Sequence, residues 1–145
     1  MSPSALHAPP PLDPQDLLAT LRDWAERIAD ADGKAIDDYL DRRDREPFDG
    51  QWTRADAALQ SHKRRLDPQR VQRAQAESAQ LRQAAFVAVM QAAGHAELAA
   101  YLADDAALIY ESEVLGLCSD WVRALHRSYL HVAEAPAPGP LESAG

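Results

Sequence analysis

One cysteine, Cys118, stands in 145 residues. No disulfide can form within the chain, so the small secreted scaffolds that rely on disulfides are excluded. Aromatic residues make up only 6% of the chain, and valine, isoleucine and threonine are scarce. A sheet therefore has little material to form from. No run approaches the roughly 18 apolar residues that a membrane span needs. Met1 to Leu12 lacks both a basic region and an apolar run, so it is not read as a signal peptide. Positive charge is also in the minority: 15 Lys and Arg against 23 Asp and Glu leave a net charge of −8. That balance argues against nucleic acid or an anionic membrane as the main partner and favours a basic protein. By default these readings place the chain in a reducing cytoplasm.

What the chain does contain is helix-forming material. Ala, Leu, Gln, Arg and Asp dominate, and hydrophobic residues reach 46%. The Ala- and Arg-rich, Lys-poor composition suggests a GC-rich bacterial genome. The length suits one domain with one core. Prolines crowd residues 1–12 and again 134–145, which reads as a disordered N-terminal tail at 1–12 and a disordered C-terminal tail at 133–145. Between them, residues 13–132 read as an all-α, single-domain bundle of six to seven helices with a long central helix.

Local signals place those helices. Asp13-Pro14 is an N-cap followed by proline at the first helical position. Leu17, Leu21, Trp24, Ala25 and Ile28 then recur at helical spacing to about Asp30. A shorter helix carries Ile36, Tyr39 and Leu40, and Glu46 to Gly50 reads as a loop. Thr53 and Asp56 resemble a capping box that starts a third helix with Ala55, Leu59 and Leu66. Asp67-Pro68 starts the long helix, about 68–93, with Gly94 as its stop. Its polar first half predicts a surface start, and the apolar run from Ala84 to Met90 predicts a buried end. A short helix at 95–102, a second one capped by Asp104, and a last one capped by Ser119 complete the reading. Trp24 and Trp121 fit core stripes. Trp52 fits either packing beside Phe48 or a partly exposed interface position, with packing favoured.

Charge is divided unevenly along the chain. From Arg54 to Arg82 there are seven Lys/Arg and three Asp/Glu; from Glu97 to Asp120 there are six Asp/Glu and no Lys or Arg. The basic stretch includes His62, Lys63, Arg64, Arg65, Arg70, Arg73 and Arg82. It has no interleaved aromatics for base stacking, so a solvated face, paired with acids at 37–49, is preferred over a nucleic-acid site. The acidic stretch reads as plain helix and surface charge or as a protein-binding face, in preference to a metal site. Asp104 and Glu111 lie two turns apart, too far for one small cation, and no Glu-x-x-His pair is present. His95, His126 and His131 lack metal-ligand spacing and read as edge or surface residues. Cys118 sits at a helix N-terminus, where a thiolate is favoured, but has no local partner and reads as buried and inert.

The run Gly94-His95-Ala96-Glu97-Leu98-Ala99-Ala100-Tyr101-Leu102-Ala103-Asp104-Asp105-Ala106-Ala107-Leu108-Ile109 resembles a segment of small helical bacterial proteins. Some of those resemble immunity partners of secreted or contact-delivered toxins. The likeness covers residues 94–125 and carries over no binding residues. It implies a non-enzymatic, partner-neutralising protein; separately, the residue patterns call for no cofactor and no metal. In that reading an acidic face occludes a basic toxin, with Asp104, Asp105, Glu111 and Glu113 as one patch and Asp37, Asp38 and Asp41 as a second. Two alternatives from other classes stand beside it. One is a helical carboxylate enzyme with a divalent ion held by acids such as Asp37, Asp41, Asp104 and Glu111. The other is a nucleic-acid-binding regulator that uses residues 54–82.

Overall fold

A computed structural model of the protein describes residues 12–130. Both proline-rich tails lie outside the described residues apart from Leu12, as does His131. The described chain forms six helices: α1 (Pro14–Asp30), α2 (Ala35–Arg43), α3 (Phe48–Lys63), α4 (Pro68–Ala93), α5 (Ala96–Val114) and α6 (Asp120–Leu130). Among the described residues there is no strand, and no helix is long and apolar enough to cross a membrane.

The caps do what their chemistry requires. The Asp13 side chain accepts from the Gln15 N–H at 2.9 Å, and Pro14 opens α1 without losing a hydrogen bond. Asp67 repeats this at α4, accepting from Gln69 at 3.2 Å. Gly94 ends α4 in the left-handed region, φ 65°, and its N–H returns to the Met90 carbonyl at 2.8 Å. The Ser119 hydroxyl accepts from the Val122 N–H at 3.2 Å and caps α6.

Two boundaries depart from the sequence reading. α3 begins at Phe48, so Glu46 to Gly50 is not a free loop and Thr53 lies inside the helix. The cap comes from Glu46, whose carboxylate accepts from the Gly50 N–H at 2.7 Å. Gly50 makes this possible, because a Cβ there would meet the Glu46 Oε1 at 2.0 Å. α5 is likewise one continuous helix, with no break at Asp104. Neither Gly nor Pro interrupts residues 96–114, and Asp104 and Asp105 turn their side chains to partners on other helices.

α4 lies between α1 and α5 and packs most extensively on both. Its core stripe is Ala74, Ser78, Leu81, Ala85 and Val89. The expected all-round burial of its second half does not occur: Phe86 and Val87 remain 38% and 47% exposed. α5 is the more enclosed helix. From Leu102 to Ser112 every residue except Asp104 is buried. α2, α3 and α6 close the remaining side, bringing Tyr39, Phe48, Leu59, Val122, Leu125 and Tyr129 into the same core. Each such aliphatic or aromatic side chain contributes ~1.5–3 kcal/mol by leaving water.

The left-handed cap at Gly94 gives a direct test. A Cβ there meets nothing within 4 Å, so strain in φ is the sole penalty. Gly94→Ala is expected to cost ~1–2 kcal/mol. In urea unfolding the midpoint should fall while the slope stays unchanged.

Candidate functional site

The most unusual chemistry lies inside the bundle. Asp105, fully buried, projects from the middle of α5 among apolar neighbours. Arg43 of α2 meets it with a two-pronged contact, Nη1 donating to Oδ2 at 2.6 Å and Nη2 to Oδ1 at 2.8 Å. Trp52 of α3 donates its indole N–H to Oδ1 at 2.8 Å. Tyr129 of α6 donates its hydroxyl to Oδ2. Arg43 Nη1 also reaches the Tyr39 hydroxyl at 3.1 Å. The Trp24 ring of α1 packs on Tyr39 at 4.8 Å and edge-on to Tyr129 at 5.1 Å. Donors from α2, α3 and α6 therefore converge on one carboxylate of α5, and α1 packs behind the two tyrosines.

The electrostatics follow from burial. Burial alone would lower the Arg43 pKa, but the adjacent Asp105 carboxylate outweighs it and holds the guanidinium charged. Burial, reinforced by Asp105, pushes the Tyr129 phenol well above its usual range, so it stays a donor. Burial likewise raises Tyr39. A buried ion pair need not add net stability, but removing one partner strands the other in a medium that solvates it poorly.

This changes the position of the expected acidic patch on α5. Asp105 and Glu111 are not surface residues. Asp105 is the anchor just described, and Glu111, 8% exposed, pairs with Lys63 at the end of α3. Asp104 is half-buried and pairs with Arg82 of α4 at 3.2 Å. Burial raises its carboxyl pKa, although Arg82 acts in the opposite direction. Glu113 is exposed, but it lies ~13 Å along the axis from Asp104 and on the opposite side of α5. The four acids form no single face.

The basic stretch supplies their partners. Lys63 and Arg82 pair with α5, Arg70 donates to the Val114 carbonyl at 3.1 Å, and a His62 ring nitrogen lies 2.8 Å from the Leu115 carbonyl. Positive groups at the carboxyl end of α5 complement its dipole and its unpaired carbonyls. The expected pairing with residues 37–49 is replaced by these contacts.

The second patch is exposed. Between Asp30 and Asp49 eight acids, including Asp37, Asp38 and Asp41, all lie on the surface. Asp37, Asp41 and Asp44 recur at the spacing of one helix face, opposite the buried Tyr39 and Arg43. Asp44 accepts a hydrogen bond from Tyr101 of α5, which pushes that phenol up to about 12. The stripe thus runs towards a cleft where Tyr101, Trp52, Asp49 and Asp104 come together. Asp37, Asp41, Asp104 and Glu111 do not converge, and among the described residues no group of His, Cys, Asp or Glu is placed to hold a metal ion.

Sequence reasoning missed Arg43, Tyr39 and Tyr129. Two signals were available: Tyr39 and Arg43 sit one turn apart beside Leu40, and Asp105 interrupts an apolar run. Trp52 is both a packing residue and a lining of the cleft. His95 accepts from the Leu98 N–H at 3.3 Å as the cap of α5. Cys118 is half-buried, and burial together with a hydrogen bond to Glu113 pushes its thiol up to about 11.

The fold is a small all-α domain that pairs Lys63 and Arg82 with acids of α5, leaves Arg54, Arg64, Arg65 and Arg73 exposed, and carries the acids of α2 on its surface. Residues 21–135 match the family model of the immunity protein PIM1, and the chain belongs to that family. No curated protein and no solved structure matches it.

Two outcomes test this account. Asp105→Asn keeps the shape but leaves the Arg43 charge unpaired, and is expected to cost ~3–5 kcal/mol in denaturant unfolding. Cys118 is expected to react with a disulfide reagent at pH 8 at least ~10-fold more slowly in the folded than in the urea-unfolded chain. The raised pKa cuts its thiolate fraction, and the higher nucleophilicity of a more basic thiolate offsets this only in part.

Proposed function

We propose that this protein binds a cognate bacterial toxin and occludes it through its acidic face, without catalysis of its own. Family membership carries the class, and the exposed acidic stripe on α2 carries the location. Toxins that act on nucleic acid need a basic cleft to hold phosphates. An acidic face steers such a partner into register and covers that cleft. Asp37, Asp38 and Asp41 form the main contact, and Asp104 extends it at the cleft. Glu113 is at most an outlying contact. Asp105 and Glu111 act from within, by fixing the helices that present the surface. The protein works in the reducing cytoplasm of the cell that it protects, which suits a chain with one cysteine.

The test is association kinetics with the purified toxin in stopped flow. The triple variant D37K/D38K/D41K is expected to lower the association rate at low salt on the order of tenfold or more, and to flatten its dependence on ionic strength. The control D16K/D23K/E26K makes the same charge change on exposed α1 positions and is expected to retain a rate within about threefold of the wild type. Circular dichroism establishes that both variants are folded. Equal slowing by both would mean that net charge acts, not the α2 stripe, and would overturn the location.

A further inference from the structure

The cleft between α2, α3 and α5 has more specific chemistry than the acidic stripe that leads to it. Its volume is about 250 Å³, below the ~300–1,000 Å³ of small-molecule sites. That size suits one side chain. Phe48, Trp52 and Tyr101 supply aromatic walls, and Asp49 and Asp104 supply carboxylates. The Arg43 guanidinium lies between the Phe48 and Tyr101 rings, 4.7 Å from each centroid. Its charge is met from behind by Asp105, so the charge facing the cleft is that of the two acids, with Asp44 on Tyr101 as a third. Arg82 opposes Asp104, but both are about half-exposed and their attraction is weakened by water. Asp104 itself is partly desolvated, which raises its carboxyl pKa. A carboxylate short of water gains from an incoming cation.

We infer that this cleft takes a single cationic side chain, arginine or lysine, presented by the protein partner. Aromatic faces and carboxylates both favour a cation and disfavour an anion. Arg43 lines the cleft floor with its guanidinium already held by Asp105, so its charge is not free for an anion. A peptide supplies a cation for Asp49 and Asp104 within one residue. The inference rests on the toxin-binding reading for the identity of the partner, and on the cleft alone for the chemistry. A filled pocket of this kind is where interfaces concentrate their binding energy.

The test uses the full chain labelled with ¹⁵N and the assigned indole resonance of Trp52. N-acetyl-arginine methylamide is expected to give a saturable shift in the millimolar range. N-acetyl-citrulline methylamide, similar in shape but uncharged, is expected to bind at least ~5-fold more weakly. D49N/D104N is expected to weaken the arginine probe on the order of tenfold. Thr53→Arg, at an exposed position of the cleft wall, places the chain's own guanidinium at the mouth and is expected to abolish the shift. No saturable shift, or equal binding of arginine and citrulline probes, overturns the inference. The same Thr53→Arg variant is expected to weaken toxin binding at least ~10-fold. Toxin that binds it as tightly as the wild type overturns the cleft as anchor while toxin binding stands. Toxin that fails to bind the wild type removes the broader reading, and the probe titration still decides the chemistry of the cleft.

Discussion

The contact between Arg43 and Asp105 sets the geometry of most of the molecule. Its two hydrogen bonds join residues 62 positions apart, and indole and phenol donors from α3 and α6 complete the shell around the carboxylate. A carboxylate in an apolar interior needs all of these donors. That need fixes the rotation of α2, and with it the outward direction of Asp37, Asp41 and Asp44. The exposed face is therefore a consequence of the buried pair. Disturbing the interior would be read out at the surface, even where no surface residue changes.

The same logic explains the uneven charge along the chain. The basic segment before α5 and the acidic segment within it look like two separate binding surfaces when read in order. In the fold they meet in part, through Lys63 with Glu111 and Arg82 with Asp104, while His62 and Arg70 close on carbonyls at the end of α5 and Arg54, Arg64, Arg65 and Arg73 stay exposed. The net charge of −8 is then carried largely by surface acids elsewhere. The run from Asp30 to Asp49 is a dense part of it. Under the proposed function the contact is made by this surface, in which Asp37, Asp38 and Asp41 stand on a helix held from behind by the Arg43–Asp105 pair.

Much of the fold was legible because helix ends are written locally. Asp13-Pro14, Asp67-Pro68, Gly94 and Ser119 each act within a few residues, and the stripe from Leu17 to Ile28 needs only its own spacing. The start of α3 was misread because its cap is Glu46 folding over Gly50, a geometry that composition does not show. The break placed at Asp104 failed because an aspartate can cap a new helix or reach a distant partner, and only tertiary contact decides between them. The charges of the candidate surface were legible, but which of them are buried was not. Asp37, Asp38 and Asp41 sit on the surface as expected, whereas Asp105 and Glu111 are inside, since their partners Arg43 and Lys63 lie far away in sequence.

The proposed interface is the face formed by α2, the start of α3 and the Tyr101–Asp104 turn of α5. Hydrogen–deuterium exchange of the full chain, free and bound to the toxin, tests it directly. The account predicts slower exchange on binding within residues 35–53 and around residues 101–104, with little change along the outer side of α4. Slower exchange confined to α4 around Phe86 and Val87, with residues 35–53 unaffected, would contradict it and move the interface to the opposite character of surface, apolar instead of acidic.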